Sequence, residues 1–234
     1  MENGTFFSND RDKTLFLPAH GRGAALPEKL KDLIKKKVGT WDLPELPAFG
    51  GPLFKEGAVA SSQAISAKEN GVDRCWYGVN GATGLLQAAL LSITKPNQYV
   101  LMPRNIHRSL IQACVLGNLN PVLFNLPFSC ERGHYLQPDS KWVEHILLKM
   151  KQEGLNISAV VLVNPTYQGY STDLAELIKK FHDYDLTVLV DEAHGTYFCS
   201  NIKEDLPISA IQAGADLIVN SLHKSGLGLI QTAV

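Results

Sequence analysis

The stretch SAVVLVNPTYQGYSTDLAELIKKFHDYDLTVLVDEAH, from Ser158 to His194, contains two apolar runs on either side of one amphipathic segment. In SAVVLV and LTVLV the apolar residues are consecutive, as expected of strands that helices cover on both faces. The segment 173–182 between them has the apolar spacing of a helix. A strand, a helix and a second strand in this order predict two parallel strands of an α/β fold.

The same alternation of strand-like and helix-like segments continues over most of the chain. Short apolar runs predict strands at Arg74–Val79, Tyr99–Met102, Pro121–Phe124, Ala159–Val163, Thr187–Val190 and Leu217–Val219. Helices are predicted at Thr83–Ile93, Arg108–Leu116, Lys141–Lys151, Asp173–His182 and Ile208–Ala213, and earlier in EGAVASSQAISAKENG, which Gly71 closes. The sequence therefore predicts a mostly parallel sheet with helices on both faces over residues 57–234.

Residues 1–56 differ in composition from the rest of the chain. Proline and glycine recur in LPAHGRG and DLPELPAFGGPLF, which is typical of loops. One helix is predicted there, around Pro27–Lys37, with Pro27 in its first turn. We therefore predict an irregular N-terminal segment followed by an α/β domain.

The bulk composition argues against several classes of protein. Hydrophobic residues make up 45% and charged residues 19%, and the net charge of −1 gives no basis for binding nucleic acid or an anionic membrane. The start, MENGTFFSNDRDKTLF, lacks the regions of a signal peptide, and no uncharged run approaches the roughly 20 residues of a membrane helix. The 4 cysteines have no CxxC spacing, so we expect reduced thiols and no metal site. The sequence predicts a soluble cytoplasmic protein.

Polar residues follow five of the predicted strands at the points where the strands end. The segments are Asn80–Gly84, Pro103–His107, Asn164–Tyr167, Asp191–His194 and Asn220–Lys224. In a parallel sheet, ligands bind beyond the carboxyl ends of the strands. We therefore expect these segments to form one polar site.

The first of these segments bears on the choice of cofactor. GVNGATG, at 78–84, has the small residues of a phosphate-binding turn at a helix N-terminus, or of a plain glycine-rich turn. It lacks the GxGxxG spacing, which disfavours a nicotinamide cofactor. The letters DEAH at 191–194 match a helicase box, but no GxxxxGK[ST] precedes them.

Asp191 and Lys224 indicate a different cofactor. Asp191 directly follows the apolar run LTVLV, where an unpaired charge is costly to bury, and Lys224 ends SLHK after the last predicted strand. In pyridoxal-phosphate enzymes a lysine amine forms a Schiff base with the aldehyde, and a carboxylate pairs with the ring nitrogen. An acid and a lysine at two nearby strand ends therefore predict pyridoxal phosphate.

The order of the motifs resembles that of a known enzyme family. NGAT, HRS, NPTYxG, DEAHG and SxHK follow one another as in the fold-type-I pyridoxal-phosphate decarboxylases of ornithine, lysine and arginine. LPAHGRG resembles the Pro-Gly-His-x-x-Gly opening of that family, with Ala19 in place of the glycine, and WDLPEL and EGAVASSQ resemble segments before its phosphate loop. The resemblance runs from about Leu15 to Val234, and aminotransferases and related lyases share a looser version of SxHK.

The resemblance implies roles for individual residues. Lys224 is implied as the Schiff-base lysine, and Asp191 as the partner of the ring nitrogen. His107 is implied to stack on the pyridine face, or alternatively caps the helix that follows it. His223 is implied to reach the cofactor phosphate or the substrate, and His194 to line the pocket or to support it from outside.

Phosphate binding is implied for residues at two strand ends, namely Ala82, Thr83, Gly84 and Ser221. The family carries hydroxyl residues where this chain has Ala82 and Gly84, so we expect backbone N–H groups to supply much of the contact. Thr166 and Tyr167 are either near the ring or structural. Glu192 is expected to be a structural or solvent-facing charge.

The implied activity is the decarboxylation of lysine, ornithine or arginine to an amine and CO2, and the full-length form is implied to be a homodimer or larger homo-oligomer. Two alternatives stay open: another fold-type-I enzyme, such as an aminotransferase or a Cα–Cβ/γ lyase, and a non-catalytic fragment. In the resembled family a further strand and a smaller C-terminal domain follow the lysine. Here SGLGLIQTAV begins that strand, at Leu229–Val234. We therefore expect a truncated form that exposes apolar surface and is weak or inactive alone.

Overall fold

A parallel sheet forms the centre of the computed structural model, which describes residues 17–40, 42–44, 46–51, 53–199 and 206–234. Its five strands are β1 (Tyr99–Pro103), β2 (Asn120–Phe124), β5 (Ile157–Val163), β6 (Thr187–Asp191) and β7 (Leu217–Val219). They lie in the order β2-β1-β5-β6-β7, and each neighbouring pair is parallel. The predicted α/β class and the parallel sheet are confirmed.

The α-helices of the described residues lie largely where the sequence predicts them. They are α1 (Glu28–Lys35), α2 (Ala58–Asn70), α3 (Gly81–Ser92), α4 (Arg108–Gly117), α5 (Ser140–Gln152), α6 (Leu174–His182) and α7 (Leu222–Ser225). Asp139 and Asp173 cap α5 and α6 by accepting hydrogen bonds from backbone N–H groups of the first turn. Gly71, with φ +68°, ends α2 in the left-handed conformation.

Helices cover both faces of the sheet, and successive residues of each strand point to opposite faces. In β5, Val160 and Leu162 pack with residues of α5 and α6, such as Phe181. The alternate residues Ala159 and Val161 pack with residues of α3 and α4. Because both faces are buried, the strand needs consecutive apolar residues, which explains the runs that predict it.

The predicted strand at Arg74–Val79 is wrong. Within this segment only Gly78 forms a β-bridge, to Ala233, and the pairing is antiparallel. Trp76 is 47% exposed and Val79 is 85% exposed, so the segment lacks the two-sided burial of the sheet strands. The expected strand at Leu229–Val234 is likewise reduced to bridges at Ala233, with Gly78 on one side and Ser221 on the other.

The predicted helix at Ile208–Ala213 is also wrong, because a single turn over 210–214 takes its place. The turn ends at Gly214, with φ +85°, and Ala215 N–H donates back to the Ala210 carbonyl. Ala210 N–H donates to the carboxylate of Glu192 instead of to a helical carbonyl.

A short antiparallel hairpin, which the sequence analysis did not predict, follows β2. It consists of β3 (Phe128–Ser129) and β4 (His134–Tyr135).

Three earlier predictions fall on residues outside the described part of the chain: the absence of a leader in 1–16, the start of the family resemblance at Leu15, and parts of WDLPEL at Trp41 and Glu45.

Candidate active site

The carboxyl ends of β6 and β7 bring the predicted acid and lysine to the same edge of the sheet. Asp191 is the last residue of β6. The β7 strand ends at Val219 and leads through Asn220 and Ser221 into α7, which carries Lys224. The two strands are parallel neighbours, so the segments that follow them lie side by side.

Lys224 lies against His194, the last residue of the DEAH segment. Its Nζ is 3.1 Å from Nε2 of the His194 ring. Burial lowers the pKa of Lys224, and the negative charge of Asp191 partly opposes this effect. Burial, together with the nearby charges of Lys224 and His107, lowers the pKa of His194 to about 4. His194 is therefore neutral near pH 7, and its Nε2 can accept a hydrogen bond from the Lys224 ammonium.

Asp191 is a buried carboxylate, only 6% exposed. Its Oδ1 accepts one hydrogen bond, from Ala193 N–H at 3.1 Å. Burial raises the pKa of Asp191, while that hydrogen bond and the positive charges of Lys224 and His107 act in the opposite direction. A carboxylate in this position gains more from a cationic partner than an exposed one does.

His107 is the N-cap residue of α4. Its Nδ1 accepts a hydrogen bond from Ser109 N–H at 3.3 Å and lies 2.8 Å from the Ser109 hydroxyl. The ring thus occupies the capping role that the sequence analysis gave as the alternative. It also lies within electrostatic range of Asp191 and His194, so the capped ring is part of the same site.

The first turn of α3 contains three predicted phosphate-binding residues. Ala82 is buried among residues that include Val219 of β7 and Ala193, whereas Thr83 is exposed. Gly81 has φ +65°, and a Cβ on Gly84 would lie 2.9 Å from Cβ of Asn80. Across the described residues, no acceptor is assigned to the backbone N–H groups of Ala82 and Thr83. Unpaired N–H groups at a helix N-terminus favour an anion such as phosphate.

Ser221 and His223, the other two predicted residues, lie in the turn that leads to Lys224. Ser221 is fully buried, and its Oγ lies 3.2 Å from Nδ1 of His223. The Ser221 carbonyl accepts hydrogen bonds from Lys224 N–H and from the Thr196 hydroxyl. The His223 carbonyl accepts from Ala19 N–H at 3.0 Å, so the LPAHGRG segment is held against this turn.

The segment 231–234 links the two halves of the site, which the sequence analysis did not foresee. Ala233 exchanges both backbone hydrogen bonds with Gly78, and Val234 does so with Asn220. Gly81 N–H, at the start of α3, donates to the Gln231 carbonyl. The same four residues therefore hold the α3 turn beside the turn that carries Lys224.

Thr166 and Tyr167 lie in a tight turn after β5. Thr166 is buried and forms two hydrogen bonds with the backbone of Tyr170, one of them through its Oγ1. Tyr167, by contrast, is 84% exposed, and its ring packs edge-on against the ring of His194, with 5.6 Å between the centroids. The turn thus places Tyr167 next to the histidine that contacts Lys224.

Glu192 is fully buried, contrary to the solvent-facing alternative considered for it. Its carboxylate accepts hydrogen bonds from Ala210 N–H at 2.7 Å and from Asn220 Nδ2 at 3.3 Å. Burial raises the pKa of Glu192 to about 7, and the two hydrogen bonds partly oppose the increase.

Two kinds of feature are absent from the described residues. None of the helices in that part of the chain is long and apolar enough to cross a membrane. Within the same residues, no group of three or more His, Cys, Asp or Glu side chains is arranged to hold a metal ion.

Comparison with known proteins identifies relatives of this chain. Arginine decarboxylase of Bacillus anthracis is 28% identical over 220 residues, which cover 93% of this chain and 43% of the relative. The chain thus spans less than half the length of that relative. Among solved structures, a chain of the SepCysS–SepCysE N-terminal domain complex has a TM-score of 0.72 at 19% identity and covers 99% of this chain and 57% of its own. Constitutive lysine decarboxylase of Escherichia coli has a TM-score of 0.68 at 17% identity. The match covers 96% of this chain and 33% of the lysine decarboxylase chain.

The similar solved structures are pyridoxal-phosphate enzymes of fold type I, so the aminotransferase-like fold is confirmed. A family model described as Orn/Lys/Arg decarboxylase, major domain, matches residues 5–234, which is nearly the whole sequence. The predicted resemblance is confirmed, and the chain belongs to the Orn/Lys/Arg decarboxylase family.

Proposed function

We propose that this chain binds pyridoxal phosphate at the carboxyl ends of β6 and β7 and forms part of an enzyme that removes CO2 from a basic amino acid. The observation that carries the proposal is the position of Lys224. Its amine is half-buried, lies 3.1 Å from His194 Nε2 and is within electrostatic range of the buried Asp191. An amine and a carboxylate in this arrangement match the two functional groups that the cofactor requires.

The α3 turn fits the phosphate of the cofactor. The N–H groups of Ala82 and Thr83 point out of the helix N-terminus, and Gly84 leaves no side chain in the way. Ser221 supplies a buried hydroxyl from the neighbouring turn. We assign Ala82, Thr83, Gly84 and Ser221 to phosphate binding.

Asp191 and Lys224 fit the ring and the aldehyde. When bound, pyridoxal phosphate accepts the electron pair that remains on the substrate Cα after CO2 leaves. Asp191 would hold the ring nitrogen in its protonated form, because a buried carboxylate is stabilised by a cation. The lowered pKa of Lys224 increases the fraction of free amine, which is the form that bonds to an aldehyde.

The histidines complete this assignment. His194, being neutral, orients the Lys224 amine through Nε2. The charge of His107 affects the pKa values of Asp191 and His194, so its ring lies near both side chains. We assign the His107 ring to the face of the cofactor. His223 and Lys224 are the groups of the same turn that can return a proton to the substrate Cα.

The first substrate to test is arginine, since the similar Bacillus anthracis protein is named arginine decarboxylase. Lysine and ornithine, which the family description includes, come next. We also propose a homodimer or larger homo-oligomer, as the family resemblance implies. The division of the chain near residue 57 stays a prediction.

The test begins with the purified chain and pyridoxal phosphate. We expect a visible absorption band, and borohydride reduction should fix the cofactor on Lys224, located by peptide mapping. Lys224→Ala should lose the band, whereas Lys180→Ala, which removes a lysine paired with Glu144 on the surface, should keep it. A band that survives in Lys224→Ala would contradict the assignment.

Reaction type is measured separately, by CO2 release and amine formation from arginine, lysine and ornithine. CO2 release from one of them supports the proposal. Transfer of the amino group without CO2 would show instead an aminotransferase on the same fold.

A further inference from the structure

Glu192 is hydrogen-bonded to the chain on both sides of β7, the strand that leads into the Lys224 turn. Its backbone N–H donates to the Val219 carbonyl at the end of β7. Its carboxylate accepts from Ala210 N–H before β7 and from Asn220 Nδ2 after it. The side chain that directly follows β6 therefore holds both ends of the chain segment that contains β7.

Asn220 transmits this contact to the active site. Both of its backbone groups are hydrogen-bonded to Val234, and its side chain is bonded to Glu192, so the residue is fixed on two sides. Ser221 follows directly, and the turn from Ser221 to Lys224 closes through the Lys224 N–H to Ser221 carbonyl bond. The orientation of Asn220 therefore sets the direction in which this turn leaves the sheet.

The side-chain amide of Asn220 also contains an oxygen without a hydrogen-bond partner among the described residues. This atom, Oδ1, is buried. With Glu192 ionised, Nδ2 donates to the carboxylate. If the amide rotates by half a turn, Oδ1 can instead accept from a protonated carboxyl group or from the amide of a glutamine at 192. The pair can thus stay bonded with either residue at 192.

We propose that Glu192 is a positioning residue, which acts through Asn220 to hold the Ser221–Lys224 turn so that the Lys224 amine lies beside His194. The proposal rests on the assigned role of Lys224. This role differs from that of Asp191, because the Glu192 carboxylate bonds to Ala210 and to Asn220, which precedes the turn. It adds a second carboxylate of the DEAH segment to the machinery of the site.

The test measures the reactivity of Lys224 in the cofactor-free chain. A small acylating reagent labels lysines only as free amines, and mass spectrometry compares the labelling rate of Lys224 with that of the exposed Lys141 in the same sample. A pH series of these rates reports the environment of the Lys224 amine. Because no cofactor is used, failure of cofactor binding would count against the proposed function and leave this measurement intact.

The variants are chosen to separate positioning from loss of stability. Glu192→Ala and Asn220→Ala should each move the pH profile of Lys224 labelling to higher pH, since a looser, wetter turn raises the lysine pKa. Relative to its own plateau at high pH, the labelling rate at pH 8 should fall by at least about threefold. Glu192→Gln should stay within about twofold of the wild type, because the rotated Asn220 amide restores the bond.

The matched control is Asp216→Ala. Asp216 also connects β6 and β7, by accepting from Val188 N–H at 2.7 Å, but it does so at the amino ends of the strands. This variant should leave the pH profile of Lys224 labelling unchanged. An unchanged profile in Glu192→Ala would overturn the proposal, and so would an equal change in Asp216→Ala. If Glu192→Ala does not fold, Asn220→Ala decides in the same way.

Discussion

Replacing Glu192 by glutamine should change how the stability of the protein depends on pH. Burial raises the pKa of Glu192 from 4.5 to about 7, so the folded protein holds this proton more tightly than the unfolded chain. Keeping Glu192 ionised in the folded state therefore costs free energy. The cost is absent below pH 4.5, grows between pH 4.5 and 7, and is complete above pH 7.

The size of the effect follows from the two pKa values. At about 1.4 kcal/mol for each tenfold change in proton affinity, the full cost is roughly 3 kcal/mol. Glu192→Gln has no such cost, so the free energy of unfolding of the wild type should fall relative to the variant by roughly this amount between pH 4.5 and 8. In a chain of this size that corresponds to roughly 6–12 °C in melting temperature.

The assay is urea unfolding of both proteins, followed by circular dichroism at intervals across this pH range. Both proteins contain Asp191 and His194. The difference between their free energies of unfolding therefore removes the contributions of these two groups. Glu153→Gln, which changes an exposed carboxylate at the end of α5, serves as the control and should run parallel to the wild type. Parallel curves for the wild type and Glu192→Gln would refute the reasoning, because they would show that burial does not perturb Glu192.

Three further outcomes are expected. Asp191→Asn should still bind pyridoxal phosphate but lose at least about a hundredfold in turnover, because a neutral amide does not hold the ring nitrogen protonated; comparable turnover would show that Asp191 is misassigned. Gly84→Ala places a Cβ 2.9 Å from Cβ of Asn80 and should weaken cofactor binding in an absorbance titration, whereas Gly39→Ala, which meets nothing within 4 Å, should not. The His194 ring signals in an NMR titration should move near pH 4, as burial lowers this pKa, and a midpoint near 6.5 would contradict the packing of His194 against Lys224.

The sheet was predictable where burial on both faces leaves a pattern in the sequence. The runs SAVVLV and LTVLV correspond to β5 and β6, whose residues are mostly buried. The segment 74–79 was misread because its pairing depends on one residue, Ala233, far away in the chain. No local pattern reports such a contact.

The sequence predicts which residues form the site better than it predicts the contacts among them. The rule that ligands bind at strand ends indicated Asp191 and Lys224, which the structure places at neighbouring strands. The burial of Glu192 was missed because it depends on the turn at 210–214, and the sequence favoured a longer helix there. Likewise, the edge-on contact of Tyr167 with His194 follows from the turn after β5, which periodicity does not describe.

The position of residues 231–234 has a consequence for the cooperativity of the site. This short segment bonds to Gly78 on one side and to Asn220 on the other, so its local opening would separate the helix N-terminus from the lysine turn in a single event. The backbone amides of Gly78, Asn220 and Ala233 should therefore exchange with solvent at a common rate, as members of one unfolding unit. A ligand that touches both turns would slow all three together, and the site forms or is lost as a whole.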